Sequence, residues 1–201
     1  PRVSGLLSNG DHKAVNKMHE LSFLIYNLVI FPIIAGLLIV NKDFVSFFLG
    51  KDFQEAYLAI AIMVFRMFFI GWTNIMGIQI LIPHNKHREF MLSTTIPAVV
   101  SVGLNLLLIP PFGFVGASIV SVLTEALVWF IQLYFCLPYL KEVPILESLA
   151  KIVCASTMMY GLLLSAKPFL HFPPTLNVLV YAVLGGLIYL LAILVLKVVD
   201  V

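Results

Sequence analysis

Apolar residues along this chain arrive in blocks rather than in alternation. Six blocks, Leu21–Val40, Ala56–Ile82, Phe90–Ile109, Phe114–Leu137, Leu149–Ala166 and Leu176–Leu196, approach the ~20 residues a helix needs to cross ~30 Å of hydrocarbon. Nothing alternates over the roughly ten residues of a transmembrane strand, so a β-barrel is excluded. The pattern predicts an all-α polytopic membrane protein with about six transmembrane helices.

The links between blocks are short, and each carries its own signal. Ala14, Val15, Met18 and Leu21 recur at helical spacing among Lys13, Asn16, Lys17 and Glu20, which predicts an amphipathic lead-in to the first span. Phe44–Tyr57 is too short to span and too apolar to be free in water, and reads as a Phe-rich interfacial turn. The second block is longer than a span requires and contains Gly71 and Gly77, so it is expected to tilt, kink or project. Between blocks three and four lies Asn105–Ser118, NLLLIPPFGFVGAS, with no charge. Proline cannot continue a helix and glycine tolerates unusual backbone angles, so Pro110, Pro111 and Gly113 are expected to end one helix and start an antiparallel one. Gly116, with Ala117 and Ser118, offers a small-residue face for close helix approach. The chain divides on this reading into a lead-in (1–20), four transmembrane helices (21–137) and two final ones (138–201).

Composition agrees with the pattern: 61% of residues are hydrophobic and 11% charged, against roughly 25% charged in soluble domains. The formal charge of +2 carries no basic patch, so nucleic acid is not an expected partner. Charge does set an orientation. Arg2, Lys13, Lys17, Lys86, Arg88, Lys141, Lys151 and Lys197 fall on one side of the predicted spans, and Lys42, Lys51 and Lys167 on the other. By the positive-inside rule both termini and the Pro83–Glu89 loop are cytoplasmic, and the Pro110–Gly113 turn faces outward. Tyr134, Phe135 and Tyr139 then fall in the cytoplasmic aromatic belt. The chain opens at Pro1-Arg2 without Met or a targeting signal, and reads as a piece of a longer protein.

Two ionisable residues lie deep inside blocks, where a charge costs roughly 2.5–3.5 kcal/mol on insertion scales. Arg66 is about ten residues, ~15 Å, from the outer end of its span, and Glu125 about eleven, ~16 Å, from the outer end of its own. At matching depth they are expected to pair or to line one cavity. Two roles stay open: a structural ion pair joining two helices, or handling of a substrate or ion. Thr73 and Asn74 follow Arg66 at helical spacing and Gln132 follows Glu125, so each span carries a polar stripe. Interhelical hydrogen bonding is the plainer use of such residues, including Asn27, Gln79, Ser101 and Asn105.

Other chemistry is sparse. Cys136 and Cys154 lack metal-ligand spacing and read as packing residues. His84 and His87 sit in PHNKHRE, where Pro83 and Asn85 predict a solvated turn rather than a metal site. There is no HExxH, GxSxG or phosphate-cradling glycine loop, and the chain reads as neither an enzyme nor a cofactor protein.

The order of motifs carries a resemblance. NLLLIPPFGFVGASIVSVLTE resembles the late segment of Wzx-type polysaccharide-biosynthesis flippases, in the MATE-like (MOP) exporter superfamily. There an Asn-Leu-rich helix ends in an Ile-Pro turn, followed by a Gly-x-x-Gly-Ala step and an acidic residue. Asn105, Ile109-Pro110, Gly113, Gly116-Ala117 and Glu125 match. PRVS (Pro1–Ser4), LGKDFQEA (Leu49–Ala56) and ILIPHNKHREF (Ile80–Phe90) are similar to further family turns, in the same order. Pro110-Pro111 departs from the single proline of many relatives.

The resemblance implies the last six helices of a two-lobed transporter in the bacterial inner membrane, with the first lobe as a missing partner. It implies alternating access that moves an undecaprenyl-diphosphate-linked oligosaccharide for capsule, exopolysaccharide or O-antigen assembly. Arg66, Thr73 and Asn74 would contact substrate, and Glu125 and Gln132 would pair with it or bind a coupling H+ or Na+. The alternatives are a multidrug or small-molecule exporter of the same fold, a membrane-embedded glycan polymerase or ligase, or a helix bundle with a scaffolding role.

Overall fold

The computed structural model describes residues 2–8, 10–169 and 172–198. Pro1 of the PRVS motif lies outside the described residues, as do the side chains of Arg2 and Lys51. Among the described residues the chain is 90% helical and has no strand, so the protein is an all-α polytopic membrane protein. A short α1 (Arg2–Ser8) is followed by the long α2 (His12–Phe48), α3 (Ala56–Asn74), α4 (His87–Leu140), α5 (Ile145–Ala166) and α6 (Pro174–Val195). Single 3-10 turns, Lys51–Phe53 and Lys167–Phe169, follow α2 and α5, and a π-helix, Ile75–Leu81, prolongs α3. Five of these helical lengths are long and apolar enough to cross a membrane.

α4 accounts for the sixth crossing. Its 54 residues would extend ~81 Å if straight, far beyond one bilayer. Gly113 breaks it, with φ 54° and ψ −131°, close to the first central position of a type II′ turn, where a side chain is disfavoured and glycine is not. The flanking residues 87–112 (α4a) and 114–140 (α4b) then run antiparallel. Gln132 Nε2 donates to Ser93 Oγ at 3.2 Å, and the two residues are equidistant from the Phe112–Gly113 bond. Gly116 abuts the Leu108 carbonyl so closely that a Cβ there would overlap it. The reversal is tighter than the four-residue loop expected from sequence. Pro110 and Pro111 remain within the helical run, where their missing N–H groups weaken the last turn of α4a, and Gly113 makes the turn.

The chain forms two compact units. The first takes the chain up to Tyr26 together with Phe65–Ile145; the second takes Asn27–Val64 and the chain from Leu146 onward. These boundaries cut across α2 and α3, because units follow packing rather than chain order.

In the first unit, α2 runs antiparallel to α3 and its π extension. Tyr26 donates its hydroxyl to the Met67 carbonyl, Phe23 packs on Trp72 at 4.7 Å, and Ser22 bonds the Gln79 side chain at 2.8 Å. Gly71 is where the helices come closest: a Cβ there would fall inside the Tyr26 ring. α4b runs parallel to α3, with Trp129 5.9 Å from Phe69 and the Cys136 thiol 3.7 Å from the Met76 carbonyl. The amphipathic lead-in is part of α2, and its buried stripe runs through Val15, His19 and Phe23 while Leu21 is exposed. A histidine thus occupies a core position of that face.

In the second unit, α6 runs antiparallel to the latter half of α2. Tyr189 donates to the Leu28 carbonyl at 2.8 Å, and Asn177 bonds Asp43 at 3.3 Å. Lys167 closes the end of α5 on the Ile39 carbonyl at 3.0 Å. The segment expected to lie at the interface exposes Phe47, Phe48 and Phe53, and Lys42 sits 4.7 Å from the centre of the Tyr57 ring. Aromatic rings with a cation among them suit the boundary between hydrocarbon and water.

Candidate functional site

The deep ionisable residues meet inside the first unit. Arg66 lies in α3 just beyond Val64, and Glu125 lies in α4b one helical turn before Trp129. The two helices run parallel, so residues at similar distance from their starts come level. Arg66 Nη2 donates to Glu125 Oε1 at 2.9 Å. Their side chains are 36% and 20% exposed, so the pair is partly covered.

Aromatic rings cover one flank. Trp129 is 6.0 Å from Trp72 and 6.1 Å from Phe68, which with Phe69 form one cluster along α3 and α4b. Such a wall lowers the local dielectric and strengthens a charge-assisted bond. Arg66 Nε and Trp129 Nε1 are both buried without a hydrogen-bond partner in the protein. Guanidinium has five N–H donors, so Arg66 keeps donor capacity while bound to Glu125.

The other expected site residues separate from this pair. Thr73 is buried and Asn74 exposed, and both bond the Ile70 carbonyl of their own helix, at 3.0 and 2.8 Å. Gln132 is buried and bonds Ser93 across the α4 hairpin. Asn105 likewise bonds Ser101 within α4a, at 2.9 Å. Among the described residues of the two polar stripes, it is the Arg66–Glu125 rung that joins α3 to α4b. The turn residues Pro110, Gly113 and Gly116 lie at the hairpin tip and shape the fold.

A second polar centre was not foreseen from sequence. His19 is buried, with Nε2 3.2 Å from the Gln79 carbonyl. That carbonyl is available because Pro83, four residues on, has no N–H to offer it, and the His84 N–H bonds Ile80 instead. His84 also turns Nδ1 to the Ile80 carbonyl at 2.7 Å and packs 4.0 Å from the Tyr139 ring. It is therefore not the freely solvated residue the turn composition suggested, although His87 is exposed. The available signal was spacing: His19 stands four residues from both Val15 and Phe23, on the face those residues define. Nearby, Lys86 bonds Glu89 at 3.0 Å, which holds its ammonium above the ordinary lysine range.

No family model, curated protein or solved structure matches this chain.

Proposed function

We propose that this chain is the C-terminal portion of a membrane transporter of the polysaccharide-flippase type. It would move an undecaprenyl-diphosphate-linked oligosaccharide across a bacterial inner membrane by alternating access. The observation that carries this reading is the Arg66–Glu125 pair, set between two parallel apolar helices with further guanidinium donors unused. Ionisable residues at such depth are costly to place, and those found inside membrane spans commonly mark substrate or ion paths. Arginine suits diphosphate because its planar fork matches two phosphate oxygens. Glu125 holds the guanidinium in place and is the group that a coupling H+ or Na+ would release. The order of family-like turns from Pro1 to Glu125 supports the same reading.

The test is export of capsule or O-antigen in a strain lacking its own flippase, complemented with the full-length gene. Arg66→Ala and Arg66→Lys are expected to reduce export per molecule of membrane-inserted protein at least about tenfold, since alanine has no charge and lysine has the charge without the fork. Glu125→Gln is expected to reduce it as well. Variants that lower only abundance while export per molecule stays normal would leave the pair as structural glue and sink the proposal. Efflux of an organic cation, with no effect on glycans, would instead give an exporter of small molecules.

A further inference from the structure

At one end of the first unit, where α2 begins and α4b finishes, polar side chains surround a cavity of about 390 Å³. His12, Asn16, His19, His84, Lys141 and Glu142 line it, with the ring of Tyr139. His19 is 1% exposed, and its geometry fixes its tautomer. A carbonyl oxygen can only accept, so the Nε2 facing Gln79 carries the hydrogen, and Nδ1 of the neutral ring is a bare acceptor. That Nδ1 is buried and has no partner in the protein. The same logic applies to His84. Its Nδ1 donates to the Ile80 carbonyl, which leaves Nε2 as a second acceptor. Lys141 adds a positive charge, while Glu142 accepts a bond from Asn16 Nδ2 at 3.0 Å.

A buried acceptor without a partner is costly, and its placement here calls for a ligand that donates. Two imidazole acceptors and one ammonium together suit a molecule with acidic O–H groups and negative charge. Phosphomonoesters and inorganic phosphate have both near neutral pH, because their second ionisation lies at about 6 to 7. Glu142 on the wall favours the protonated, less charged form over the dianion. Phosphodiesters, sulfate and a sugar-linked diphosphate have no such O–H at neutral pH. The site therefore differs in chemistry from the transport substrate proposed above and does not depend on it.

We propose that this cavity binds a singly charged, protonated phosphate group, either dihydrogen phosphate or a phosphomonoester monoanion. Dihydrogen phosphate would donate its two O–H groups to His19 Nδ1 and His84 Nε2, and a monoester its single O–H to His19 Nδ1, with Lys141 facing the charge. The ligand is either free phosphate or the headgroup of a lipid such as phosphatidic acid.

Calorimetric titration of the full-length protein in zwitterionic nanodiscs, at pH 7, tests this with inorganic phosphate and with sulfate. Phosphate is expected to bind at least about tenfold tighter than sulfate, since a site built around O–H donors rejects an analogue lacking them. Equal affinity for the two, or no binding of either, overturns the proposal. His19→Phe keeps the buried ring and removes the acceptor, and is expected to weaken phosphate binding at least about tenfold at unchanged melting temperature. Should His19→Phe not fold, Lys141→Met, at an exposed position, is expected to weaken binding by a similar factor; unchanged phosphate affinity in the folded variant overturns the site. Nanodiscs containing phosphatidic acid are then compared with phosphatidylglycerol, a diester. Suppression of phosphate binding by phosphatidic acid alone supports the site with a lipid headgroup as occupant. No suppression by either supports it with free phosphate, and equal suppression by both counts against it.

Discussion

Arg66 and Glu125 lie 59 positions apart in the chain and meet at 2.9 Å, one from α3 and one from α4b. They meet because the α4 hairpin returns α4b parallel to α3, which brings level two residues that start equally far into their helices. Removing one partner leaves the other with its desolvation uncompensated. Arg66→Met and Glu125→Leu are each expected to destabilise the protein by about 2–4 kcal/mol, somewhat below a fully buried pair because both side chains are partly exposed. The double variant is expected to recover much of that, with a coupling energy of about 1–3 kcal/mol. A double-mutant cycle by denaturant unfolding in detergent measures it, and additive effects would contradict the pairing.

Gly113 is the hinge of that hairpin. Any L residue at φ 54° and ψ −131° is strained, at about 1–3 kcal/mol. Gly113→Val is therefore expected to lower the melting temperature, whereas Gly103→Ala, at a glycine in α4a with open space around it, is expected to leave stability equal or better. Thermal unfolding of the two variants side by side gives the comparison.

Close approach of α2 and α3 at Gly71 predicts a suppressor relationship. Gly71→Ala places a methyl group inside the Tyr26 ring and is expected to cost about 1–3 kcal/mol. Adding Tyr26→Ala makes room and is expected to return part of the loss, though Tyr26→Ala alone destabilises. Folded yield of the three variants reads this directly.

The two cysteines differ in access. Cys136 is fully buried and Cys154 is exposed on α5. A lipid-soluble maleimide is expected to label Cys154 at least roughly tenfold faster in the native protein, with Cys136 reacting only on unfolding. Mass spectrometry of partially labelled protein distinguishes the sites, and early labelling of Cys136 would place it outside the core.

Much of the fold was legible because membrane helices must satisfy their backbone within each segment, so length and hydropathy translate almost directly into spans. The turn in NLLLIPPFGFVGAS and the matching depth of Arg66 and Glu125 belong to that readable layer, since both are one-dimensional properties of the chain. The stripes were less legible. Seven-residue spacing puts Thr73 near the face of Arg66, but it does not say that Thr73 and Asn74 will turn to the Ile70 carbonyl, or that Gln132 will turn to Ser93. A small polar side chain in hydrocarbon takes the nearest acceptor, and that is often its own helix.

By itself the sequence determined the approximate number and order of the apolar helices, and the place where α4 must reverse, because each follows from hydrocarbon thickness and local backbone chemistry; α2 runs beyond its block at both ends. Only the tertiary structure decided which polar groups meet. Pro83 left the Gln79 carbonyl without a donor, and packing of α2 against the π-helix brought His19 to it. That buried histidine and its cavity arise from a contact between residues 60 positions apart, and long-range packing of this kind has no periodicity to announce it.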